Sequence, residues 1–363
     1  MRNLGKLAVL GITALGLALA GPQDNSLVIG ASQEPRVLAG DFLSVISNQA
    51  IKSEIEQYLF APFIGFNADS QNFPVLATEV PTLENGRLRV TDIGGGKKRL
   101  EMDITIRPDA KWSDGRPITT EDVAFYFEVG KAKGMPVLNP DFWERVNVRI
   151  KDARNFTLIF EPAYYYDTYG PINTYAPKHI MGPEWERVKA AARGLDPQKD
   201  AEKLNELYRN FFIKFSTPQA LNRGAMVYSG PFMLRRWVPG NSIEMVRNPN
   251  FPIKPEGGES KYVQKVVYRF IQNTNSLLVA VIGGSIDATS SVSLTFDQGR
   301  SPQLVRRAPG RFDIWFVPGA IWEHIDINKF ENCQVVKDLG LNDKRTRQAI
   351  LHALNREGLV KAF

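Results

Sequence analysis

The 363-residue sequence holds one cysteine and three histidines, and beyond its first twenty residues it has no apolar run long enough to span a membrane. With Cys333 as the only thiol, an internal disulfide is excluded. A lone cysteine of this kind is expected in the interior rather than as a nucleophile. His179, His324 and His352 are scattered and no His-Glu-x-x-His stretch occurs, so no metal centre is expected. A Gly-x-Ser-x-Gly nucleophile elbow and a phosphate-binding Gly-x-x-x-x-Gly-Lys-Ser/Thr loop are also lacking. Excess charge is small: Lys+Arg 45 against Asp+Glu 39 gives +6, and removing Arg2 and Lys6 takes it to +4. Without a basic run, nucleic acid is not expected as the partner. The 39 acidic residues leave an acid pair of the glycosidase kind open, so a secreted acid-pair hydrolase stands as the rival reading.

What is present is a globular composition, 43% hydrophobic, at a length that suggests two or three domains. Residues 1–20 read as a secretory signal peptide. Arg2 and Lys6 precede the apolar run Leu7 to Ala20, and Ala18-Leu19-Ala20 has the small-x-small pattern of a cleavage site before Gly21. An uncleaved anchor is the other reading of the same run. A lipoprotein would need a cysteine where Gly21-Pro22 stands. The expected location is therefore periplasmic or secreted.

Element signals alternate irregularly along the chain. Ser26 to Ala31 reads as a strand, and Ile51, Ile55, Tyr58 and Leu59 fall on one face of a helix that Pro62 ends. Leu100, Met102, Ile104 and Ile106 alternate with polar residues and predict a half-buried strand. It pairs with Arg87 to Thr91 through Gly94-Gly95-Gly96. Thr119, with Asp122 three residues on, caps a predicted helix through Val129. Phe156 to Phe160 is another strand, and residues 184–215 read as a charged helical stretch with Trp185, Val188, Leu204, Leu207 and Phe211 inward. Strands follow at Met233 to Trp237, Ile243 to Arg247 and Tyr262 to Ile271, then a helix over Thr274 to Ile282 ended by Gly283-Gly284. Arg347 to Leu354 carries an apolar stripe, after which the chain stops on Leu359-Val360-Lys361-Ala362-Phe363. An apolar end of that kind suggests an incomplete chain. The pattern predicts a mixed α/β fold.

Lys111-Trp112-Ser113-Asp114-Gly115-Arg116-Pro117, continuing through Val123, resembles the signature of extracellular solute-binding proteins of family 5, the peptide, dipeptide and nickel receptors of ABC importers. Further stretches match that family in order. They are Leu76-Ala77-Thr78-Glu79, Tyr228-Ser229-Gly230-Pro231-Phe232-Met233-Leu234, Arg247-Asn248-Pro249-Asn250-Phe251, Gly283-Gly284-Ser285-Ile286-Asp287, Ile325-Asp326-Ile327-Asn328 and Asp343 to Ile350. Each also has a fold-forming reading. Trp112 can be a core ring or a ligand platform, and Tyr164-Tyr165-Tyr166 can stack on a ligand or form an interface patch.

The resemblance implies a bilobed fold of the periplasmic-binding-protein kind (class II, with an extra inserted domain), hinged to close on its ligand. Lobe I would comprise 21–66 and 165–310, the inserted domain 67–164, and lobe II would begin at 311 and stand truncated at 363. It further implies a monomeric, non-enzymatic receptor that binds peptides without a cofactor and hands them to ABC permease subunits. Nickel, haem or sugar receptors of the same family are the alternatives. Position within the family puts the ligand-binding groups at Val45, Ile46 and Ser47, at Ser290, Ser291 and Val292 on the same wall, and at Trp322, Glu323 and His324 across the cleft. The first of these is the weakest match, since the family's Leu-Asp-Pro is replaced by Val37-Leu38-Ala39-Gly40-Asp41. For His324 a histidine paired near the hinge is the alternative role.

Overall fold

The structure is a computed structural model that describes residues 25–67, 69–167, 175–254, 257, 262–316 and 325–362. The expected signal at 1–20 and the candidates Trp322, Glu323 and His324 lie outside the described residues, as does the side chain of Tyr166. The chain divides into two compact units, Met1–Pro309 and Gly310–Phe363.

In the first unit, β1 (Ser26–Ala31) leads through a loop to α1 (Ala50–Leu59), and β2 (Ile64–Phe66) pairs antiparallel with β3 (Asn72–Pro74). Next come β4 (Leu88–Gly94), β5 (Lys97–Thr105), α2 (Thr120–Gly130), α3 (Pro140–Arg145), β6 (Val146–Ile150) and β7 (Asn155–Phe160). The helices α4 (Lys178–Ala192), α5 (Ala201–Ser216) and α6 (Pro218–Asn222) follow. The unit continues with β8 (Phe232–Val238), β9 (Ser242–Arg247), β10 (Lys265–Phe270), α7 (Thr274–Ile282) and β11 (Ala288–Thr289).

Two sheets organise these elements. The five-stranded sheet has the order β11-β1-β10-β9-β8, with β1 parallel to both of its neighbours and β9 antiparallel to β10 and β8. The other, β4-β5-β7-β6, is antiparallel throughout. In β5 the alternation works as predicted: Leu100, Met102 and Ile104 are buried while Glu101 and Asp103 stand on the opposite face. One continuous apolar cluster joins both sheets and α5, whose Leu204, Tyr208, Phe211, Phe212 and Phe215 fall on a single helical face. Fully burying one such ring is worth roughly 1.5–3 kcal/mol.

Several expectations need correction. Residues 184–215 do not form one helical stretch. α4 ends at Ala192, Gly194 takes a left-handed φ of +83°, and α5 starts only at Ala201 after Pro197. Leu207 is half-buried rather than inward. β10 covers Lys265–Phe270 only, shorter than the predicted run. Cys333 is half-buried, not interior, because it stands just ahead of a short helix, Gln334–Asp338.

In the second unit, Lys344–Ala353 is a helix started by Asp343, whose Oδ1 accepts from Arg345 N at 2.8 Å. Leu351 and Leu354 of its apolar stripe are exposed.

Candidate functional site

β1 and β11 run parallel, and the carboxyl ends of parallel strands are where α/β sheets leave room for ligands. Asp287 fixes this end. Its carboxylate accepts from Val28 N at 2.8 Å, and its own N donates to Val28 O at 2.9 Å. The chain then crosses the end of β1. Ser290 N and Ser293 Oγ both donate to Gly30 O, at 2.9 and 2.6 Å, and Ser32 Oγ donates to Val292 O at 2.5 Å. The stretch Ser290–Ser291–Val292 is therefore pinned over the strand end.

Val45, Ile46 and Ser47 sit in the loop ahead of α1, shaped from below by buried charge. The Asp41 carboxylate, fully buried, accepts from Ile46 N at 3.2 Å and from Ser47 N at 3.1 Å. Lys52 Nζ donates to Asp41 O at 2.9 Å and to Ser44 Oγ at 3.3 Å, and lies 3.4 Å from Glu56 Oε2. Glu56 Oε1 in turn accepts from Ala39 N at 2.9 Å. Burial raises the Asp41 carboxyl above its usual range, against the pull of Lys52. Burial likewise pushes Glu56 up to about 7, opposed by Lys52. Ala39 and Ser44 take left-handed φ values of 60° and 55°, which side chains seldom adopt and which this network holds in place. Above it, Val45 and Ile46 are half-buried against the core, and Ser47 Oγ donates to Gln49 Oε1 at 2.8 Å.

A residue not singled out in the sequence joins the two stretches. Glu54, on α1, accepts at Oε2 from Ser290 Oγ at 2.9 Å, Ser291 N at 3.0 Å and Ser291 Oγ at 2.6 Å. Its Oε1 accepts from Tyr268 OH on β10 at 2.9 Å, and the Tyr58 ring packs edge-on to that of Tyr268, centroids 6.0 Å apart. Thus α1, which directly follows Val45–Ser47, is tied to Ser290–Val292 by one carboxylate. Nothing local flags Glu54: Tyr268 lies 214 residues away and Ser290 lies 236.

The family-like motifs prove to be packing devices. Trp112 is a core ring, fully buried, its Nε1 donating to Asp122 Oδ2 at 3.3 Å. Asp122 also accepts from Thr119 N at 3.0 Å, closing the capping box of α2. Asn248 is fully buried and donates from Nδ2 to Gly230 O at 2.9 Å. Tyr165 is exposed, while the Arg145 guanidinium stands 4.1 Å over the Tyr164 ring. A cleft of about 720 Å³ opens between α2 and α4, lined by Phe125, Glu128 and His179 among others, and it contains none of the expected ligand-binding residues. Among the described residues no group of three His, Cys, Asp or Glu side chains is placed to hold a metal ion. Within the same residues no helix is long and apolar enough to cross a membrane.

Comparison with known proteins agrees with this architecture. The family model for bacterial extracellular solute-binding proteins, family 5 Middle, matches residues 97–363. The oligopeptide-binding protein AppA of Bacillus subtilis (strain 168) is 23% identical over 357 residues, covering 93% of this chain and 51% of AppA. A probable ABC transporter-binding protein of Deinococcus radiodurans is 24% identical over 282 residues, 73% of this chain and 42% of that one. Among solved structures, the oligopeptide binding protein from Thermus thermophilus complexed with a pentapeptide matches with a TM-score of 0.90. Its sequence identity is 98%, across 95% of this chain and 57% of that one. The chain thus spans about half the length of the curated relatives it matches. The chain belongs to family 5 of the bacterial extracellular solute-binding proteins.

Proposed function

We propose that the chain serves as the substrate-binding component of an ABC importer, taking up oligopeptides outside the cytoplasmic membrane and delivering them to permease subunits. The observation that carries this reading is the 98% identity, over 95% of the chain, to a protein whose structure holds a pentapeptide. The wall chemistry supports it. Backbone carbonyls and hydroxyl lone pairs at strand ends suit an extended peptide, whose N–H groups exchange water for protein acceptors. Ligand groups on this reading are Val45, Ile46, Ser47, Ser290, Ser291 and Val292, together with Trp322, Glu323 and His324. Residues 1–20 act as the export signal, 67–164 form an inserted domain between the two segments of lobe I, and the receptor works as a monomer without turning its cargo over.

The test is thermal unfolding with peptides of two to ten residues, with nickel, haem and oligosaccharides alongside. A ligand at a hundred times its Kd adds about 2.7 kcal/mol to the folded state, so a binding peptide raises Tm by several degrees. A rise with peptides, recovered intact afterwards, is expected. A rise only with a non-peptide ligand, no rise at all, or peptide cleavage lost on changing one carboxylate overturns the reading.

A further inference from the structure

The hydrogen-bond donors of the two wall stretches are all directed inward. The backbone N–H groups of Ile46 and Ser47 end on the Asp41 carboxylate, and that of Val45 is close enough to favour its charge. Those of Ser290, Ser291 and Val292 end on Gly30 O, Glu54 Oε2 and Ser290 Oγ respectively. The three hydroxyls are spent as well. Ser47 donates to Gln49, and Ser290 and Ser291 both donate to Glu54. What these residues keep for a ligand is acceptor capacity, in carbonyl oxygens and hydroxyl lone pairs.

Charge points the same way. Glu56 is paired with the Lys52 ammonium, whose charge also acts on the Asp41 carboxylate, but among the described residues no lysine or arginine pairs with Glu54. The carboxylate is half-exposed, next to the exposed Ser291, so its field reaches whatever lies against this wall. A ligand carboxylate set there would meet like charge and no donor, whereas an ammonium or guanidinium would meet acceptors and an uncompensated negative charge.

We propose that Glu54 sets the specificity of this wall, which selects the cationic, N–H-rich part of a peptide and rejects an acidic one. The inference rests on the peptide-receptor reading and adds to it a ligand class and a residue. Substituting Glu54→Gln keeps the side-chain shape and removes the charge, its amide oxygen accepting from Ser291 N and its NH2 donating to the Tyr268 hydroxyl, which can turn to accept.

The experiment is titration calorimetry of the chain with pentapeptides of alanine carrying one lysine, or one glutamate, at each position in turn. In at least one position the lysine peptide binds about tenfold more tightly than its glutamate counterpart, and E54Q brings that ratio close to one while both peptides still bind. Should E54Q fail to fold, the salt dependence of the unsubstituted chain decides, because a charge-set preference shrinks as the Debye length falls from about 30 Å at 0.01 M to about 8 Å at 0.15 M. Peptides that bind with no lysine preference, or a preference that survives E54Q or added salt, overturn the inference alone. Absence of binding by every peptide overturns the receptor reading beneath it.

Discussion

Lys52 and Glu56 lie one turn apart on α1 with Nζ 3.4 Å from Oε2, both side chains almost wholly withdrawn from water. An ion pair so placed gives up the hydration of both charges, and it persists here because Asp41 O, Ser44 Oγ and Ala39 N supply the other partners. The network thereby fixes the loop that carries Val45 to Ser47.

Its first consequence is a pH dependence. Glu56 is pushed up to about 7 in the folded chain from an ordinary 4.5. Below about pH 4.5 it is protonated whether the chain is folded or not, and its contribution is whole. As pH rises from there through about 7, the unfolded chain loses the proton first, so folding stability declines across that window. Thermal melts at pH 5, 6, 7 and 8 should show a falling Tm that flattens in Glu56→Gln, which can still accept from Ala39 N. An equal fall in that variant places the titration elsewhere.

The same network predicts a large asymmetric cost. Lys52→Met removes the cation paired with Glu56 and the donor to Asp41 O and Ser44 Oγ, and should lower stability by about 3–5 kcal/mol. Chemical denaturation reads this directly. A loss below about 1 kcal/mol would mean that the ammonium holds little.

On the outer face of the four-stranded sheet, Asp103 gathers Arg89 at 2.7 Å, Lys151 at 2.8 Å and Thr157 Oγ1 at 2.5 Å. Partial burial alone would raise its carboxyl, but these donors outweigh it and hold it well below the usual carboxylate range. The sign is opposite to that of Glu56: the contribution is present above the unfolded value of 3.8 and is lost as pH falls below it. Asp103→Asn should cost about 1.5–3 kcal/mol at neutral pH and much less near pH 2, by denaturant melts at both. Equal losses at the two pH values would contradict this assignment.

Gly230 sits where two backbones meet. A Cβ there would come within 2.6 Å of Leu59 C and Tyr58 O, main-chain atoms that cannot swing aside, and Gly230 N already donates to Leu59 O at 2.8 Å. Gly230→Ala should destabilise by about 1–3 kcal/mol or more. A melting temperature unchanged within a degree would show that the contact gives way.

Alternating and capped elements were legible in the sequence because their signals are local. The β5 alternation, the Thr119–Asp122 box and the Gly283-Gly284 stop each operate within a few residues. Two further signals are equally local. Val146, Val148 and Ile150 alternate in β6, and Asn139-Pro140 opens α3. The candidate wall was legible only through family resemblance, since Asp41, Lys52, Glu54 and Glu56 derive their roles from partners across the fold. A carboxylate on a helix face reads as solvated until Tyr268 and Ser290 are brought against it.

Where the peptide is held is the central claim, and hydrogen exchange read by mass spectrometry on the chain with and without a saturating pentapeptide tests it directly. Added protection in 44–48 and 289–293, with the α2 and α4 segments around the 720 Å³ cleft unchanged, is the expected result. Protection confined to that cleft, or none in either wall stretch while the peptide is bound, would contradict it.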